Sequence, residues 1–273
     1  MIPKIIHYCW FGGNPLPDEA KRWIETWKQF CPDYQIMEWN EENFDISQNP
    51  YVKEAYEQKK WAFVTDYVRL KVLFDYGGIY MDTDVEVCKS LDDFLHCRAF
   101  SGFESKSSIP TGTMGAEAGN EWIGLLLTYY DDRHFVLPDG SLDTTTNVYT
   151  ITQLTEKYYP LVLNNSYQEF GTGLYMYTFD YLCAKDPATG QVKKTKNTYT
   201  IHHFAGSWVP EDIREFSKRA NARYQELQVT LPNCLALPLA KVWVAYEQGG
   251  CSQILKKCWH GLQRYCQGGR ERI

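Results

Sequence analysis

The sequence predicts an α/β fold, a sheet with helices packed on its faces. Short β-branched and aromatic runs alternate with amphipathic segments over the first 87 residues, which is the pattern of strands exchanging with helices. Two glycine pairs, Gly12-Gly13 and Gly77-Gly78, stop segments where a turn is needed. With 273 residues, 44% hydrophobic and 23% charged, the chain can bury a large core without disulfide staples.

Taken in order, Lys4 to Trp10 (KIIHYCW) reads as a buried strand halted by Gly12-Gly13. Pro15 and Pro17 lead into a helix whose Ala20, Trp23, Ile24, Trp27 and Phe30 follow helical spacing. Tyr34 to Trp39 alternates as a second strand, and Val52 to Gln58 is a second helix. Trp61 to Asp75 is a third, closing at Tyr76-Gly77-Gly78, where glycine takes a left-handed cap. Ile79 to Met81 and Val85 to Val87 are short strands flanking Asp82-Thr83-Asp84. Weaker signals follow: a strand at Ala99 to Phe103, helices at Asn120 to Tyr130 and Asn147 to Tyr158, and a polar turn over Asp186 to Lys196. Thr198 to His203 is a strand that enters a loop, Phe204 to Pro210, and Glu211 to Gln228 is a polar helix. The expected organisation is a catalytic domain over 1–230 and a C-terminal helical, basic amphipathic extension over 231–273.

A formal net charge of −6 argues against nucleic acid as a partner, because phosphate contacts need a basic surface. The charge is uneven. From Cys251 onward five basic residues (Lys256, Lys257, Arg264, Arg270, Arg272) face one acidic, Glu271, which leaves −10 on the rest. Nine scattered cysteines with no C-x-x-C pair read as a reduced chain, so a cytoplasmic location is expected. The N-terminus lacks the features of a signal peptide, and no apolar run reaches the roughly 18 residues of a bilayer span.

The chemistry starts at Asp82-Thr83-Asp84. Two carboxylates at i and i+2, at the carboxyl end of a strand, can converge on one divalent ion where ligands bind in open α/β sheets. Hard cations such as Mg²⁺ and Mn²⁺ take carboxylate oxygens and complete their shell with substrate phosphates. A bare D-x-D is equally the pattern of a surface turn, and its surroundings decide. Ile5-Ile6-His7-Tyr8-Cys9-Trp10-Phe11-Gly12-Gly13, then Ala62-x-x-x-Asp66-x-x-Arg69, then Gly77-Gly78-Ile79-Tyr80-Met81-Asp82-Thr83-Asp84 stand in order. Together they resemble the DXD-containing glycosyltransferases of the sugar-binding-region family, the family 32-like group of the yeast initiating mannosyltransferase and bacterial capsular polysaccharide transferases. The large clostridial glucosylating toxins are more distant members. The resemblance is strong over 2–104, weaker to about 210, and does not reach the tail.

The resemblance implies a GT-A fold, a Rossmann-like mixed sheet flanked by helices, that uses a nucleotide-sugar donor with Mn²⁺ or Mg²⁺. It places Tyr8 and Trp10 among the nucleotide contacts, the indole stacking on the base; the plain alternative for Trp10 is a core tryptophan. Asp66 and Arg69 match the pair that holds donor sugar and phosphate; three residues apart, they share one helix face, which also suits a simple ion pair. Asp84 matches the direct metal ligand and Asp82 the residue facing the ribose and the metal's water shell. His202-His203-Phe204-Ala205-Gly206-Ser207-Trp208 matches the motif that closes the donor site. One imidazole supplies a third metal ligand. His202 is preferred to His203 only because alternate strand positions face opposite sides, and both stay open. Ser207 and Trp208 are placed on the departing diphosphate, Trp208 in a lid-like loop. Glu104 and Asn147 are weaker candidates near the reacting sugar, since the chain lacks the Gly-Pro frequent in relatives there.

The implied reaction is a retaining transfer of a hexosyl group from a nucleoside-diphosphate sugar, UDP favoured. The acceptor is a glycan, expected to be a lipid-linked capsule or exopolysaccharide repeat unit. In the tail, Ile254, Leu255, Cys258, Trp259, Leu262 and Tyr265 stand at helical spacing among Lys256, Lys257 and Arg264. That pattern fits a helix lying on an anionic membrane, peripheral on the inner face of the plasma membrane, or one packed on the enzyme itself. Two other classes compete. A D-x-D phosphohydrolase wants Thr or Val where Glu86 stands, and a non-catalytic carbohydrate-binding module has no need of Asp66, Arg69 and the D-x-D together.

Overall fold

The computed structural model describes residues 1–109, 112–187, 189–206, 209, 211–232 and 235–250. The chain divides into two compact units, one of residues 1–185 with 192–208, the other of 186–191 with the described residues from 209 on. The helix over Glu211–Leu227 therefore falls in the second unit, whereas the sequence reading kept it in the first and drew the boundary at 230.

In the first unit the strands and helices alternate as expected: β1 (Ile5–Cys9), α1 (Asp18–Phe30), β2 (Gln35–Trp39), α2 (Pro50–Glu57), α3 (Trp61–Tyr76), β3 (Gly78–Met81) and β4 (Val85–Val87). There follow β5 (Ala99–Gly102), β6 (Thr113–Ala116), α4 (Glu121–Leu127), α5 (Asn147–Tyr158), β7 (Gln168–Phe170), β8 (Leu174–Tyr177), α6 (Phe179–Leu182) and β9 (Thr200–His202). Seven strands form one sheet in the order β2-β1-β3-β6-β5-β8-β7. β1 is parallel to β2 and β3, β6 runs against β3 and β5, β8 is parallel to β5, and β7 runs against β8. This is the mixed α/β sheet flanked by helices that the sequence predicts for a GT-A-type fold. β6, β7, β8 and α6 are additions to the predicted elements.

Strand alternation sorts the core into two layers. Ile6, Tyr8, Ile79 and Met81 point to the side of α1, where Ile24 and Trp27 are buried. Cys9 and Tyr80 point to the opposite side, among Val64, Val68 and Leu73 of α3. Helix α3 buries nine of its residues, among them Asp66 and Arg69, and shows almost no amphipathic contrast, as a helix enclosed by protein should. It ends at Gly77, whose φ of 67° and ψ of −176° lie where a side chain is barely tolerated. A Cβ there would meet the Ala118 amide nitrogen at 2.7 Å. The turn delivers the chain into β3 and so fixes where Asp82 emerges.

A separate two-stranded sheet matters most for the site. β4 pairs antiparallel with β9, setting Val85 opposite His202 and Val87 opposite Thr200. Helix α1 secures β4 by two bonds: the Trp27 indole donates to the Val85 carbonyl at 2.7 Å, and the Val87 amide donates to Thr26 Oγ1 at 2.9 Å. Residues 118 positions apart, Asp84 and His202, are thereby brought together by strand register.

In the second unit α7 (Glu211–Leu227) and a helix over residues 235–250 share a small core of Tyr224, Ala236 and Ala240. Among the described residues no helix is long and apolar enough to cross a membrane. Cys9, Cys31, Cys88, Cys97 and Cys183 are unpaired. The amphipathic pattern expected over 251–265 lies outside the described residues.

Candidate metal and donor site

Strands β1, β3 and β5 all point their carboxyl ends to one sheet edge; Trp10 and Asp82 follow β1 and β3 directly, and Glu104 lies two residues past β5. Asp82, Asp84 and His202 there offer one ligand atom each, all within 4.8 Å of one another. His202 Nε2 lies 3.3 Å from Asp84 Oδ1 and 4.0 Å from Asp82 Oδ2. Two carboxylate oxygens and an imidazole nitrogen in that space are a donor set that Mn²⁺ or Mg²⁺ accepts.

Each ligand is oriented from behind. Asp82 Oδ1 accepts from the Tyr80 hydroxyl at 3.0 Å and lies 3.2 Å from Arg69 Nη2, which turns Oδ2 toward His202. Asp84 Oδ2 accepts from the Ala205 amide at 2.6 Å, and the Asp84 carbonyl accepts from the His203 amide at 2.9 Å. Phe204 makes that reach possible. Its φ of 55° is a left-handed turn rare for a residue with a side chain, and its ring packs 4.2 Å from that of His202. Burial works against the charge on Asp84, but His202 and the Ala205 amide outweigh it and hold the carboxyl down at about 2. Burial likewise opposes charge on His202, yet Asp84 and Asp82 lift it well above an ordinary imidazole. The cluster thus favours a positive charge at its centre, carried by a proton on His202 or by a metal ion that displaces it.

His203 makes different contacts from His202. One residue further along the chain, it faces the other way. Its Nε2 lies 2.9 Å from Glu86 Oε2 and its ring stacks on Trp23, centroids 4.1 Å apart and planes within 5°. His203, also expected as a metal ligand, thus stands outside the Asp82–Asp84–His202 group, with one ring face on Trp23 of α1 and Nε2 on Glu86 of β4.

Beside the carboxylates lies a buried charge network. Arg69 Nη2 is 3.3 Å from Asp66 Oδ1, the Arg69 Nε donates to the Thr65 carbonyl, and the guanidinium sits 4.6 Å over the Tyr80 ring. Asp66 also accepts from the side-chain amide of Asn147, the first residue of α5, whose N-terminus is capped by the Thr146 hydroxyl. Burial is the larger influence on Asp66 and pushes its carboxyl up to about 7 despite Arg69. Asp66, Arg69, Asp82 and Asn147 are therefore joined in one constellation.

Trp10 is half-buried, its indole donating to the Asn14 carbonyl at 2.6 Å. Tyr8 is not free for a nucleotide in the same way: it is buried edge-on against Trp27 with its hydroxyl donating to Glu38. Glu104 lies close enough to His202 and Asp82 to feel both charges, and burial raises its carboxyl. Ser207 and Trp208 lie outside the described residues. Sequence reasoning missed Tyr80, the Ala205 amide and Gly112. The last has a legible signal, a glycine on a strand approach, and its cause is contact: a Cβ there would stand 2.8 Å from His202 Nδ1.

Comparison with known proteins agrees with this geometry. Residues 17–100 match the family described as glycosyltransferase sugar-binding region containing DXD motif. Inositol phosphoceramide mannosyltransferase 3 of Schizosaccharomyces pombe is 33% identical over 129 residues, 45% of this chain and 35% of that protein. Mannosyl phosphorylinositol ceramide synthase SUR1 of Saccharomyces cerevisiae is 28% identical over 42% of this chain and 31% of its own length. The match thus spans about a third of these curated relatives. Among solved structures, the PaToxG glycosyltransferase covers 58% of this chain and 70% of its own, at 19% identity and a TM-score of 0.45.

Proposed function

We propose that this chain, whose residues 17–100 carry the DXD-containing glycosyltransferase sugar-binding region, is a metal-dependent glycosyltransferase. It moves a hexosyl group from a nucleoside-diphosphate sugar to a hydroxyl of a glycan or lipid-borne acceptor. The observation that carries this reading is the convergence of Asp82, Asp84 and His202 within 4.8 Å, beside the buried Asp66–Arg69–Asn147 constellation. Neither a phosphohydrolase nor a carbohydrate-binding module accounts for both.

Asp84, His202 and Asp82 would hold Mn²⁺ or Mg²⁺, which when bound supplies Lewis-acid stabilisation to the leaving diphosphate. The chain's own residues do the rest. Arg69 is the fixed positive charge on the phosphate side, kept in place by Asp66 and Asp82 rather than by solvent, so that it costs little reorganisation as charge develops. Asp66 and Asn147 present hydrogen-bonding oxygen and nitrogen atoms to sugar hydroxyls. Trp10 offers its indole face to the base, and Ser207 and Trp208 close on the diphosphate. The transfer retains configuration by front-face attack.

The donor expectation from the sequence is a UDP-hexose. The relatives' names carry mannosyl and inositol phosphoceramide, which favours a mannosyl group and a lipid-borne acceptor for the first tests. The capsule or exopolysaccharide repeat unit, and action at the inner face of the plasma membrane, are part of the same proposal. A panel of UDP- and GDP-sugars, assayed for donor hydrolysis with Mn²⁺, Mg²⁺ or chelator, tests it. One nucleotide sugar is expected to be cleaved only with metal, and NMR of the glycoside product should show the donor's anomeric configuration. Hydrolysis of simple phosphate monoesters, with no nucleotide sugar cleaved, would refute it.

A further inference from the structure

The helix over residues 235–250 leaves a set of large apolar side chains in solvent. Leu235, Leu239, Val242, Trp243 and Tyr246 are exposed by 44 to 57%. Their spacing of 4, 3, 1 and 3 residues places all five within about 100° of the helix circumference, at roughly 100° per residue. That arc contains no charge. The flank beside it is already spent: Ala236, Ala240 and Val244 are buried, the two alanines against Tyr224 of α7. Glu247, the single acidic residue of 235–250, is neutralised at the flank. Arg219 and Arg223 lie 2.6 and 3.4 Å from its carboxylate, and the Trp243 indole donates to it.

From this we infer that the stripe is a docking surface for an anionic lipid bilayer, with the helix lying in the plane of the interface. Two features select that partner. The stripe holds Trp and Tyr, whose rings combine an apolar body with a polar edge and favour the headgroup level. The sequence after Gly250 has five basic residues against one acidic, a charge complementary to anionic headgroups. Among the described residues no helix is long and apolar enough to cross a bilayer. The stripe belongs to the second unit, and its test does not depend on any transferase activity.

The experiment is flotation of the full chain with vesicles of phosphatidylcholine alone or mixed with phosphatidylglycerol. The wild type is expected to bind the anionic vesicles and to lose binding on the neutral ones. The triple variant Leu239→Gln/Val242→Gln/Tyr246→Gln is expected to bind about tenfold more weakly or less, with an unchanged circular dichroism spectrum. Should that variant misfold, Val242→Trp is the converse probe and should bind more tightly. Equal binding by wild type and a folded triple variant overturns the proposal, as does absence of vesicle binding by the wild type. A lipid-free dimer that the triple variant abolishes also overturns it, in favour of self-association.

Discussion

Replacing Arg69 with Met is expected to expose how much the donor site costs the fold. The guanidinium stands 3.3 Å from Asp66 and 3.2 Å from Asp82, with side chains only 5%, 10% and 24% exposed. Methionine has similar bulk and leaves two enclosed carboxylates without their cation. Breaking a buried pair in this way costs about 3–5 kcal/mol. The loss should depend on pH, and its sign follows from Asp66. In the fold its carboxyl is pushed up to about 7 by burial, which Arg69 partly offsets, whereas an unfolded aspartate titrates near 3.9. The native state therefore binds more protons between those values, and this group's contribution to stability falls as pH rises through the window. Without Arg69 the folded value moves higher and the window extends upward. At pH 5.5 Asp66 is protonated in both native proteins, so its share of the deficit is small there and large at pH 8. Urea denaturation at the two pH values measures this. The Asp66→Asn/Arg69→Met pair should recover at least about 1 kcal/mol of the loss at pH 8, because contacting residues couple. A deficit under about 1 kcal/mol at pH 8, or one equal at both pH values, would refute the reasoning.

Further outcomes follow from other contacts. His7 is buried and neutral: the Trp39 indole donates to its Nδ1 at 3.0 Å, and its Nε2 donates to the Gly77 carbonyl at 2.7 Å. Burial lowers its folded pKa below the usual 6.5, so stability is complete above about pH 6.5 and is lost as pH falls toward the folded value. His7→Gln should flatten that part of the pH–stability curve; an unchanged slope would assign it to other groups. Gly112→Ala puts a Cβ 2.8 Å from His202 Nδ1 and should weaken Mn²⁺ affinity about tenfold by displacing the ring, at little cost in far-UV dichroism. Calorimetric Mn²⁺ titration showing no change would remove His202 from the ligand set. Gly77→Ala, at a backbone conformation close to glycine-only and with the Ala118 amide 2.7 Å away, should destabilise by about 1–3 kcal/mol in thermal melts.

The first half of the fold is legible in sequence because its signals are local. β1 and β3 are apolar runs bounded by turns, β2 alternates, α1 has a clear stripe, and the Gly77 cap is written in the Gly-Gly pair. The missed strands lack such signals. β6, Thr113–Ala116, is buried on both faces and contains Gly115, where a Cβ would fall 2.3 Å from the Phe100 ring; its glycine records a distant contact and reads locally as a loop. β7 and β8 are three and four residues long and form only through pairing with β5 and each other. In the site, the Asp82-x-Asp84 pair is visible through its spacing, and Asp66 and Arg69 through the family resemblance. The division between His202 and His203 is not, because it depends on the β4–β9 register and on Trp23 taking one of the two rings. The bond from the Tyr8 hydroxyl to Glu38 is likewise not legible, because it depends on the β1–β2 register.

The most direct measurement is calorimetric titration of UDP and GDP into wild type and Asp84→Asn, each with Mn²⁺ and with chelator. Asparagine keeps an acceptor for the Ala205 amide and removes the charge that a cation needs. Wild type is predicted to bind one of the nucleotides about tenfold or more tightly with Mn²⁺, and folded Asp84→Asn to show no metal dependence. Metal-dependent binding that survives intact in Asp84→Asn would contradict a cation seated between Asp82, Asp84 and His202.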